Sequence, residues 1–260
     1  MTTSLRIASL VPSVTELLVA LGLGPCLVAR TGFCIHPAAE LSDVPKVGGT
    51  KDVRLGALRQ LAPSHVVVNV DENRLETVEA LRSWGVQEVV THPNSPEDVR
   101  ELIAQLVRAF AEPSGAADEV RRRAGAIDAE LCAELAQTRP ARGPSVPVLY
   151  LIWRGPWMTV ARDTYISRLL DCVGWQTRPD AEGGSHGAAR YPTVLGSEPW
   201  LADVEQVLLS SEPYSFTSAH VAEAQALCPR ARVRLVDGEA LSWYGVRTAS
   251  GLRYLRQLLG

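Results

Sequence analysis

The fold is decided by the stretch Arg6-Ile-Ala-Ser-Leu-Val-Pro-Ser-Val-Thr-Glu-Leu-Leu-Val-Ala-Leu-Gly-Leu-Gly24. Its first part, up to Val11, is an apolar run that predicts a buried strand, and apolar residues then recur at helical spacing. Ser13 and Glu16 have the spacing of a capping box, which predicts the start of a helix, and residues 22–25 supply glycine and proline to end it. A strand, a tight turn and a helix in this order open an α/β unit.

The same alternation continues along the chain. The further predicted strands are 27–29, 65–70, 88–91, 148–152, 206–209 and 232–236. The further predicted helices are 73–84, one capped by Ser95 that continues to Phe110, then 116–138, 165–173, 218–227 and 249–259. Because parallel strands need crossover connections, this order predicts an α/β fold with mostly parallel sheets. The predicted domains are an N-terminal Rossmann-like lobe (1–112), a connecting backbone helix (113–139) and a C-terminal Rossmann-like lobe (140–260).

Composition excludes several classes of protein. The formal net charge is −3, and the 26 Lys and Arg residues are scattered apart from Arg121–Arg123, so no nucleic-acid-binding surface is predicted. Five cysteines, an odd and widely spaced set, indicate reduced thiols. No stretch is long enough to span a bilayer, so no membrane insertion is predicted. The first residues show no signal-peptide pattern, which predicts a cytoplasmic protein, or an extracytoplasmic one if a signal was removed. The protein is expected to be a monomer.

The stretch from Ser9 to Gly24 is similar to the opening of the helical-backbone, or class III, substrate-binding proteins of ABC importers. This family includes vitamin B12-binding and ferric-siderophore-binding proteins. The similarity continues through Phe33-Cys-Ile-His-Pro37, Pro45-Lys-Val-Gly-Gly49, Leu61-Ala-Pro-Ser-His-Val-Val-Val68 and the segment from Pro156 to Leu170. The resemblance implies two Rossmann-like lobes joined by one long helix, with a ligand bound in the cleft between the lobes and not transformed.

The resemblance also implies an ABC permease as a partner. Members of the family that dock on an importer usually carry an acidic residue at the tip of each lobe. Here the first corresponding segment, Val53-Arg54-Leu55-Gly56, has no carboxylate, whereas Glu198 stands where the second is expected. The single docking carboxylate, together with the absence of a signal-peptide pattern, weakens the expectation of an importer role, and an ABC permease stays a possible partner.

Ligand-binding residues are expected in loops that follow strands, because parallel sheets bind ligands beyond the carboxyl ends of their strands. Several aromatic residues stand beside Pro and Gly in such loops, and flat rings suit a large planar ligand such as cobalamin or another corrinoid; packing at the lobe interface is the alternative. Asp71 and Asn73 have the alternative role of helix caps. The relatives that bind vitamin B12 have a tryptophan in place of Asn69, so an iron complex is also a candidate ligand. The predicted ligand-binding residues are Pro12, Ser13, Phe33, His36, Thr50, Lys51, Asn69, Asp71, Glu72, Asn73, Trp153, Trp157, Tyr214, Phe216, Trp243 and Tyr244.

Cys34 and His36 offer a thiolate and an imidazole on one loop. The pair predicts a metal contact, either directly or as an axial ligand of cobalt or iron, but further ligands at zinc-site spacing are missing. No cofactor is required, and no nucleophile-elbow, Walker or dinucleotide motif is present, so the chain is predicted not to be an enzyme. Two alternatives stay open: a cytoplasmic binder or sensor of a metal complex that is not coupled to an importer, and a hydrolase that uses Cys34, His36 and Asp71.

Overall fold

The computed structural model describes residues 5–138 and 144–259, which form two compact units. The first unit contains the chain up to Pro93 together with Glu97–Leu131 and Tyr244–Arg247. The second contains Asn94–Pro96, Cys132–Trp243 and the chain from Thr248 onward. The predicted lobes are contiguous in sequence. In the structure, Asn94–Pro96 belong to the second unit and Tyr244–Arg247 belong to the first. Residues 139–143, where the predicted backbone helix ends and the predicted C-terminal lobe begins, lie outside the described residues.

The first unit is an α/β layer around one parallel sheet. Its strands are β1 (Ile7–Ser9), β2 (Leu27–Arg30), β3 (His65–Asn69) and β4 (Gln87–Thr91). Its helices are α1 (Pro12–Ala20), α2 (Leu55–Gln60), α3 (Leu75–Ser83), α4 (Asp98–Phe110) and the first part of α5 (Ala117–Gln137). The strand order is β2-β1-β3-β4, and every pairing is parallel, as the alternation of strands and helices predicts.

Helix α1 begins two residues earlier than the capping box predicts. Val11 is the N-cap, and Pro12 takes the first helical position, where its missing N–H is not needed. Ser13 therefore lies inside the helix and makes no cap, so the prediction of a Ser13–Glu16 capping box is wrong. The helix ends at Ala20, and Gly22 follows with φ +86°, a conformation that a residue without a side chain adopts easily.

Apolar side chains pack against both faces of the sheet in the first unit. Val66 and Val68 of β3 pack with Leu10, Leu58 and other apolar residues, and the intervening Val67 is also fully buried. A strand buried on both faces reads as a continuous apolar run, which is why β3 was predicted correctly. Each fully buried valine or leucine contributes roughly 1.5–3 kcal/mol to folding.

Two long helices follow the first sheet. Helix α4 begins at Asp98 with Glu97 as its N-cap, so the prediction that Ser95 caps this helix is wrong; residues 95–97 form a turn before it. Helix α5 has 21 residues and matches the predicted helix 116–138 closely. Val120 and Leu131 on its apolar face are buried. The division between the units falls inside α5, after Leu131.

The second unit repeats the plan of the first. Its strands are β5 (Val146–Leu151), β6 (Trp157–Met158), β7 (Trp175–Thr177), β8 (Thr193–Val194), β9 (Gln206–Ser210) and β10 (Arg232–Val236). Its helices are α6 (Tyr165–Asp171), α7 (Val221–Leu227), α8 (Gly238–Ser242) and α9 (Arg247–Leu259), whose first residue belongs to the first unit. The main sheet has the order β10-β9-β5-β7 and is entirely parallel, and β6 pairs with β8 in an antiparallel ribbon.

The predicted fold class is confirmed: two α/β units with parallel sheets, and a long helix in which the chain passes from one unit to the other. The elements that the sequence did not predict are short, namely α2, α8, β7 and the β6–β8 ribbon. Glu134 of α5 accepts hydrogen bonds from Arg253 and Arg256 of α9, which ties the last helix to the end of α5 within the second unit. No helix within the described residues is long and apolar enough to cross a membrane.

Candidate functional site

The loops at the carboxyl edge of the first sheet carry the predicted residues of the first unit. Pro12 and Ser13 come after β1, residues 33–36 after β2, and residues 71–73 after β3. Thr50 and Lys51 reach the same edge from the long connection between β2 and α2. The Thr50 carbonyl oxygen accepts from Asn73 Nδ2 at 3.0 Å, and Lys51 Nζ donates to the Asp71 carbonyl oxygen. The structure therefore brings these predicted residues together where parallel sheets bind ligands.

Asn69, the last residue of β3, organises the turn that follows this strand. Its Oδ1 accepts from the backbone N–H groups of Asp71 at 2.7 Å and Glu72 at 3.2 Å. Its Nδ2 donates to the Thr91 carbonyl oxygen at 3.0 Å and to the Tyr244 hydroxyl at 2.9 Å. These contacts use both donors and both lone-pair directions of the amide. Asn69 is only 4% exposed, so its side chain holds the turn and has no donor or acceptor left for a ligand.

Asn73 has a similar role. Its Oδ1 accepts from the Asn69 backbone N–H at 2.8 Å, and its Nδ2 donates to the carbonyl oxygens of Leu10 and Thr50. Helix α3 begins two residues later with Arg74 as its N-cap, so the alternative of Asn73 as a helix cap is wrong. The side chain joins three loops of the first unit instead.

Tyr244 lies in the first unit between an amide and a carboxylate. Its hydroxyl accepts from Asn69 Nδ2 and donates to Glu72 Oε1 at 3.1 Å. Burial raises the pKa of Tyr244 well above its usual value, and the negative charge of Glu72 adds to the effect. Tyr244 is therefore a neutral phenol at physiological pH, and this disfavours a phenolate contact to a metal.

Cys34 and His36 lie on one loop but differ in their exposure to solvent. The Cys34 thiol is fully buried, and its Sγ lies 3.1 Å from both the Thr15 and the Thr31 hydroxyl oxygens. Burial raises the pKa of Cys34, although the hydrogen bonds from Thr15 and Thr31 lower it in part, so the neutral thiol is favoured. His36 is half-buried on the same loop. Among the described residues no group of three His, Cys, Asp or Glu side chains could hold a metal ion. A buried neutral thiol is a poor nucleophile and a poor metal ligand, so this arrangement does not favour the hydrolase alternative.

Apolar side chains are exposed on the loop after β2. Phe33 is 62% exposed and Ile35 46% exposed, and the Phe33 ring lies against Gly49, where a β-carbon would come within 3.3 Å of it. Large exposed apolar groups beside a sheet's carboxyl edge are typical of ligand-binding surfaces. Phe33 is thus the predicted aromatic residue of the first unit that is open to a ligand.

Four of the predicted aromatic residues of the second unit gather with His220 into one cluster, which we call the aromatic cluster and which consists of Trp153, Trp157, Tyr214, Phe216 and His220. The Trp157 and Phe216 rings are stacked with centroids 5.9 Å apart, and Trp153 meets Tyr214 edge-on at 5.6 Å. Phe216 is buried in the core, whereas Trp153 is 41% exposed. Phe216 therefore packs in the core of the second unit, as the alternative to ligand binding would require. Trp153, in contrast, has an exposed ring.

His220 was not predicted as a site residue, yet it anchors the aromatic cluster. The Thr217 backbone N–H donates to His220 Nδ1 at 3.0 Å, which leaves the proton of the neutral ring on Nε2. Nε2 lies 3.1 Å from the Tyr214 hydroxyl oxygen, and the His220 ring meets both Tyr214 and Phe216 edge-on at 5.4 Å. The sequence signal is a Thr-x-x-His spacing, since Thr217 and His220 form a capping box.

Glu212 stands in a loop where ligand-binding residues were expected, but it is not among the residues predicted to bind the ligand. It is half-buried in the turn after β9, and its Oε1 accepts from the Ser242 hydroxyl and from Trp243 Nε1, both at 2.7 Å. Burial raises the pKa of Glu212, and these two hydrogen bonds only partly offset that effect. The donors come from residues 30 positions further along the chain, so local sequence patterns do not reveal this contact.

Trp243 and Tyr244 are neighbours in sequence but belong to different units. Trp243 belongs to the second unit and donates to Glu212, whereas Tyr244 belongs to the first unit and bonds with Asn69 and Glu72. Both side chains are less than a tenth exposed. The predicted residues therefore fall into two groups, one at the carboxyl edge of each sheet.

Comparison with known proteins places the chain in a family. Residues 7–192 match the model of the family described as periplasmic binding protein. The vitamin B12-binding protein of Vibrio parahaemolyticus is 26% identical over 215 residues, which cover 83% of this chain and 71% of that protein. The vitamin B12-binding protein of Photorhabdus laumondii is 26% identical over 173 residues, which cover 65% of this chain and 59% of that protein.

Solved structures share the fold. The periplasmic vitamin B12 binding protein BtuF of Vibrio cholerae superimposes with a TM-score of 0.76 at 18% identity, covering 98% of this chain and 97% of that one. The periplasmic haem-binding protein HutB of the same species has a TM-score of 0.76 at 20% identity and covers 99% of both chains. These similarities in sequence and fold are to proteins named for binding a ligand.

Proposed function

The chain belongs to the periplasmic binding protein family, as a class III member with a helical backbone, and we propose that it binds a metal–tetrapyrrole complex, a corrinoid or a haem, without transforming it. The observation that carries this proposal is the half-exposed ring of Trp153 on the aromatic cluster, at the carboxyl edge of the second sheet. A flat indole held at its edge by Tyr214 offers a face on which a planar macrocycle can stack.

Relatives support the same ligand class. The curated relatives are named for vitamin B12, and solved structures of the same fold are named for vitamin B12 or for haem. Both ligands are large, flat and centred on a metal. The first unit adds the exposed Phe33, so each sheet edge carries one accessible aromatic side chain.

The chemistry of the described residues supports binding without catalysis. The only predicted nucleophile, Cys34, is buried, neutral and bonded to two hydroxyl groups. Asp71, the predicted orienting acid, lies 3.3 Å from His92 Nε2 through its Oδ2. A nucleophile needs an ionised or activated group within reach of its substrate. A buried thiol that is held in its neutral form does not meet this need.

Coupling to an importer is a further part of the proposal. Glu198 accepts the backbone N–H groups of Leu195 at 2.7 Å and Gly196 at 2.8 Å. Burial acts to raise the pKa of Glu198, but these backbone hydrogen bonds outweigh it and hold the pKa below its usual value, so the side chain is charged. Glu198 would supply one negative docking charge. The segment 53–56 supplies none, and this favours the second candidate, a binder or sensor that works without a permease.

A titration separates these functions. Purified protein is mixed with cobalamin, cobinamide, haem or a ferric chelate, and quenching of tryptophan fluorescence reports binding. We expect one of the tetrapyrroles to bind, and Trp153→Ala to weaken that binding by about 2- to 10-fold, because stacking on an aromatic ring contributes roughly 0.5–1.5 kcal/mol. Leu259→Ala, which removes a similarly exposed apolar side chain at the end of α9, is the control and should bind as the wild type does. Absence of binding by every tetrapyrrole would refute the proposal.

A further inference from the structure

A pocket of about 530 Å³ lies at the carboxyl edge of the second sheet, beside the aromatic cluster. Phe216, Leu235 and Val236 form its apolar wall, and Leu235 is 45% exposed. Its polar wall carries three carboxylates, those of Glu212, Asp237 and Glu239, and none of its lining residues is basic. The pocket therefore combines an apolar surface with negative charge.

Glu212 is held in a fixed orientation at this pocket. Its Oε1 accepts from both Ser242 and Trp243, each at 2.7 Å, so the carboxylate cannot rotate without losing two hydrogen bonds. No donor among the described residues contacts its other oxygen, Oε2. A carboxylate oxygen accepts two hydrogen bonds, so Oε2 has its hydrogen-bonding capacity available to a ligand. Oε2 is thus an oriented acceptor that has no donor among the residues the structure describes.

We propose that Glu212 sets the polar specificity of the second unit: it accepts a primary amide or an ammonium group of the ligand at Oε2 and rejects a ligand that presents a carboxylate there. This inference rests on the proposed function and narrows its ligand class to metal macrocycles that carry amide side groups. An amide N–H satisfies Oε2, and the methylene groups that carry it pack on Phe216 and Leu235. A carboxylate at the same place would face a fixed negative charge in a partly desolvated pocket, where repulsion is much stronger than in water.

The corrin ring allows a matched comparison. Dicyanocobinamide carries amides around the macrocycle, and dicyanocobyrinic acid carries carboxylates on the same ring. We expect wild-type protein to bind the amide compound at least about 10-fold more tightly than the acid, because one unfavourable charge contact of this kind exceeds 1.4 kcal/mol. Raising the salt concentration from about 0.05 M to about 0.5 M should reduce this ratio, since salt screens the repulsion.

Two variants test the role of Glu212 itself. Glu212→Gln keeps an oxygen that can accept from Ser242 and Trp243, but it removes the charge; we expect tighter binding of the acid and a ratio at least about 5-fold smaller than that of the wild type. Glu205→Gln makes the same change just before the amino end of β9, about 20 Å along the strand, and should leave the ratio unchanged. Thermal melting of both variants checks that they are folded.

The possible results separate this inference from the proposed function. If no corrinoid and no haem binds, the proposed function fails and the inference fails with it. If both corrinoids bind equally well, if haem, with its two carboxylates, binds more tightly than dicyanocobinamide, or if Glu212→Gln leaves the ratio unchanged, the inference is overturned while the proposed function stands.

Discussion

The two units have the same sheet topology but use the turn after their third strand differently. In sequence order within each sheet, the strands are arranged 2-1-3-4 in both, since β2-β1-β3-β4 matches β7-β5-β9-β10. The third strands end in buried polar residues, Asn69 at β3 and Ser210 at β9. Each of these side chains accepts a backbone N–H of the turn, and a glutamate follows it within three residues, Glu72 or Glu212.

The two turns differ in which hydrogen-bonding groups remain available to a ligand. In the first unit Asn69 has all its hydrogen-bonding groups in use, and Glu72 accepts from Tyr244. In the second unit Ser210 accepts from Tyr150 at 3.0 Å, and one oxygen of Glu212 has no donor within residues 5–138 and 144–259. A closed polar network stabilises a loop, whereas an oriented group without a partner can recognise a ligand. We infer that the first turn is mainly structural and the second selects the ligand.

The largest expected effect comes from Gly238→Ala in the second unit. An added β-carbon would lie 2.5 Å from Ser210 Oγ and 2.8 Å from the Glu212 backbone nitrogen, so the turn that orients Glu212 would have to move. We expect a loss of about 3 kcal/mol in the free energy of unfolding, measured with urea. Gly56→Ala in α2 is the control: its β-carbon meets nothing within 4 Å, and helix propensity predicts a gain of roughly 0.5–1 kcal/mol. Equal stability of the two variants would contradict the close approach at Gly238.

Asn69→Ala should have the next largest effect. It removes the acceptor for two backbone N–H groups and the donors to Thr91 and Tyr244, and it leaves buried groups unsatisfied. We expect a loss of about 2–3 kcal/mol and faster amide exchange in residues 70–73. Ligand affinity should fall only indirectly. If the variant kept its stability but lost binding, the residue would be a ligand contact after all.

Ser210→Ala, the matching change in the second unit, should cost less, about 1–2 kcal/mol. It removes three hydrogen bonds, one with the buried Tyr150 hydroxyl and two with the backbone of Glu212, whereas the Asn69 side chain makes five. Urea unfolding of both alanine variants under the same conditions provides the comparison. A loss larger than that of Asn69→Ala would reverse the assignment of the two turns.

The smallest effect concerns the pH dependence of stability. Burial raises the pKa of Glu212, and the charges of Glu239 and Asp237 add to this, so the folded state takes up its proton more readily than the unfolded state does. Its contribution to stability is therefore fully present below the unfolded pKa of about 4.3 and is lost as pH rises through the folded pKa. Glu212→Gln should be slightly more stable than the wild type at pH 7, and the difference should vanish near pH 4.

Glu134 serves as the control of opposite sign. Burial acts to raise its pKa, but hydrogen bonds from Arg256 and Arg253 outweigh burial and hold the pKa below its usual value. The Glu134 carboxylate therefore stabilises the folded state above its unfolded pKa, and this stabilisation is lost as pH falls through the folded pKa. Glu134→Gln should accordingly destabilise the protein at pH 7. Melting temperatures between about pH 4 and pH 8 measure both variants. Equal pH profiles for the two would contradict the assigned environments.

Much of the fold was predictable from sequence because its long elements carry strong patterns. The run His65–Val70 is apolar without interruption, as a strand covered on both faces requires, and α5 has one apolar stripe over 21 residues. Strand β7 and helix α8 have three and five residues, too few for a period, and they form because neighbouring elements pair or pack with them. The start of α1 was misplaced because Pro12 fits the first helical position as well as Ser13 fits a cap.

The site was predictable as a set of loops but not as a set of contacts. Loops after strands gave the right edges, because parallel sheets expose their carboxyl ends in one direction. What each side chain does there depends on partners far along the chain: Asn69 meets Thr91 and Tyr244, and Glu212 meets Ser242 and Trp243. Periodicity carries no information about such contacts. Ligand binding by the predicted residues stays a prediction.

Amide hydrogen exchange with and without saturating ligand is the most direct test of the claim that ligand binds at the carboxyl edges of the sheets. Exchange is expected to slow in the segments that follow β2, β3, β5 and β9, namely 31–36, 70–73, 152–157 and 211–216. It should not change at the opposite ends of the strands, in 61–64, 84–86, 203–205 and 229–231. Protection confined to this second group, or no protection at either edge under conditions where fluorescence shows binding, would contradict the claim.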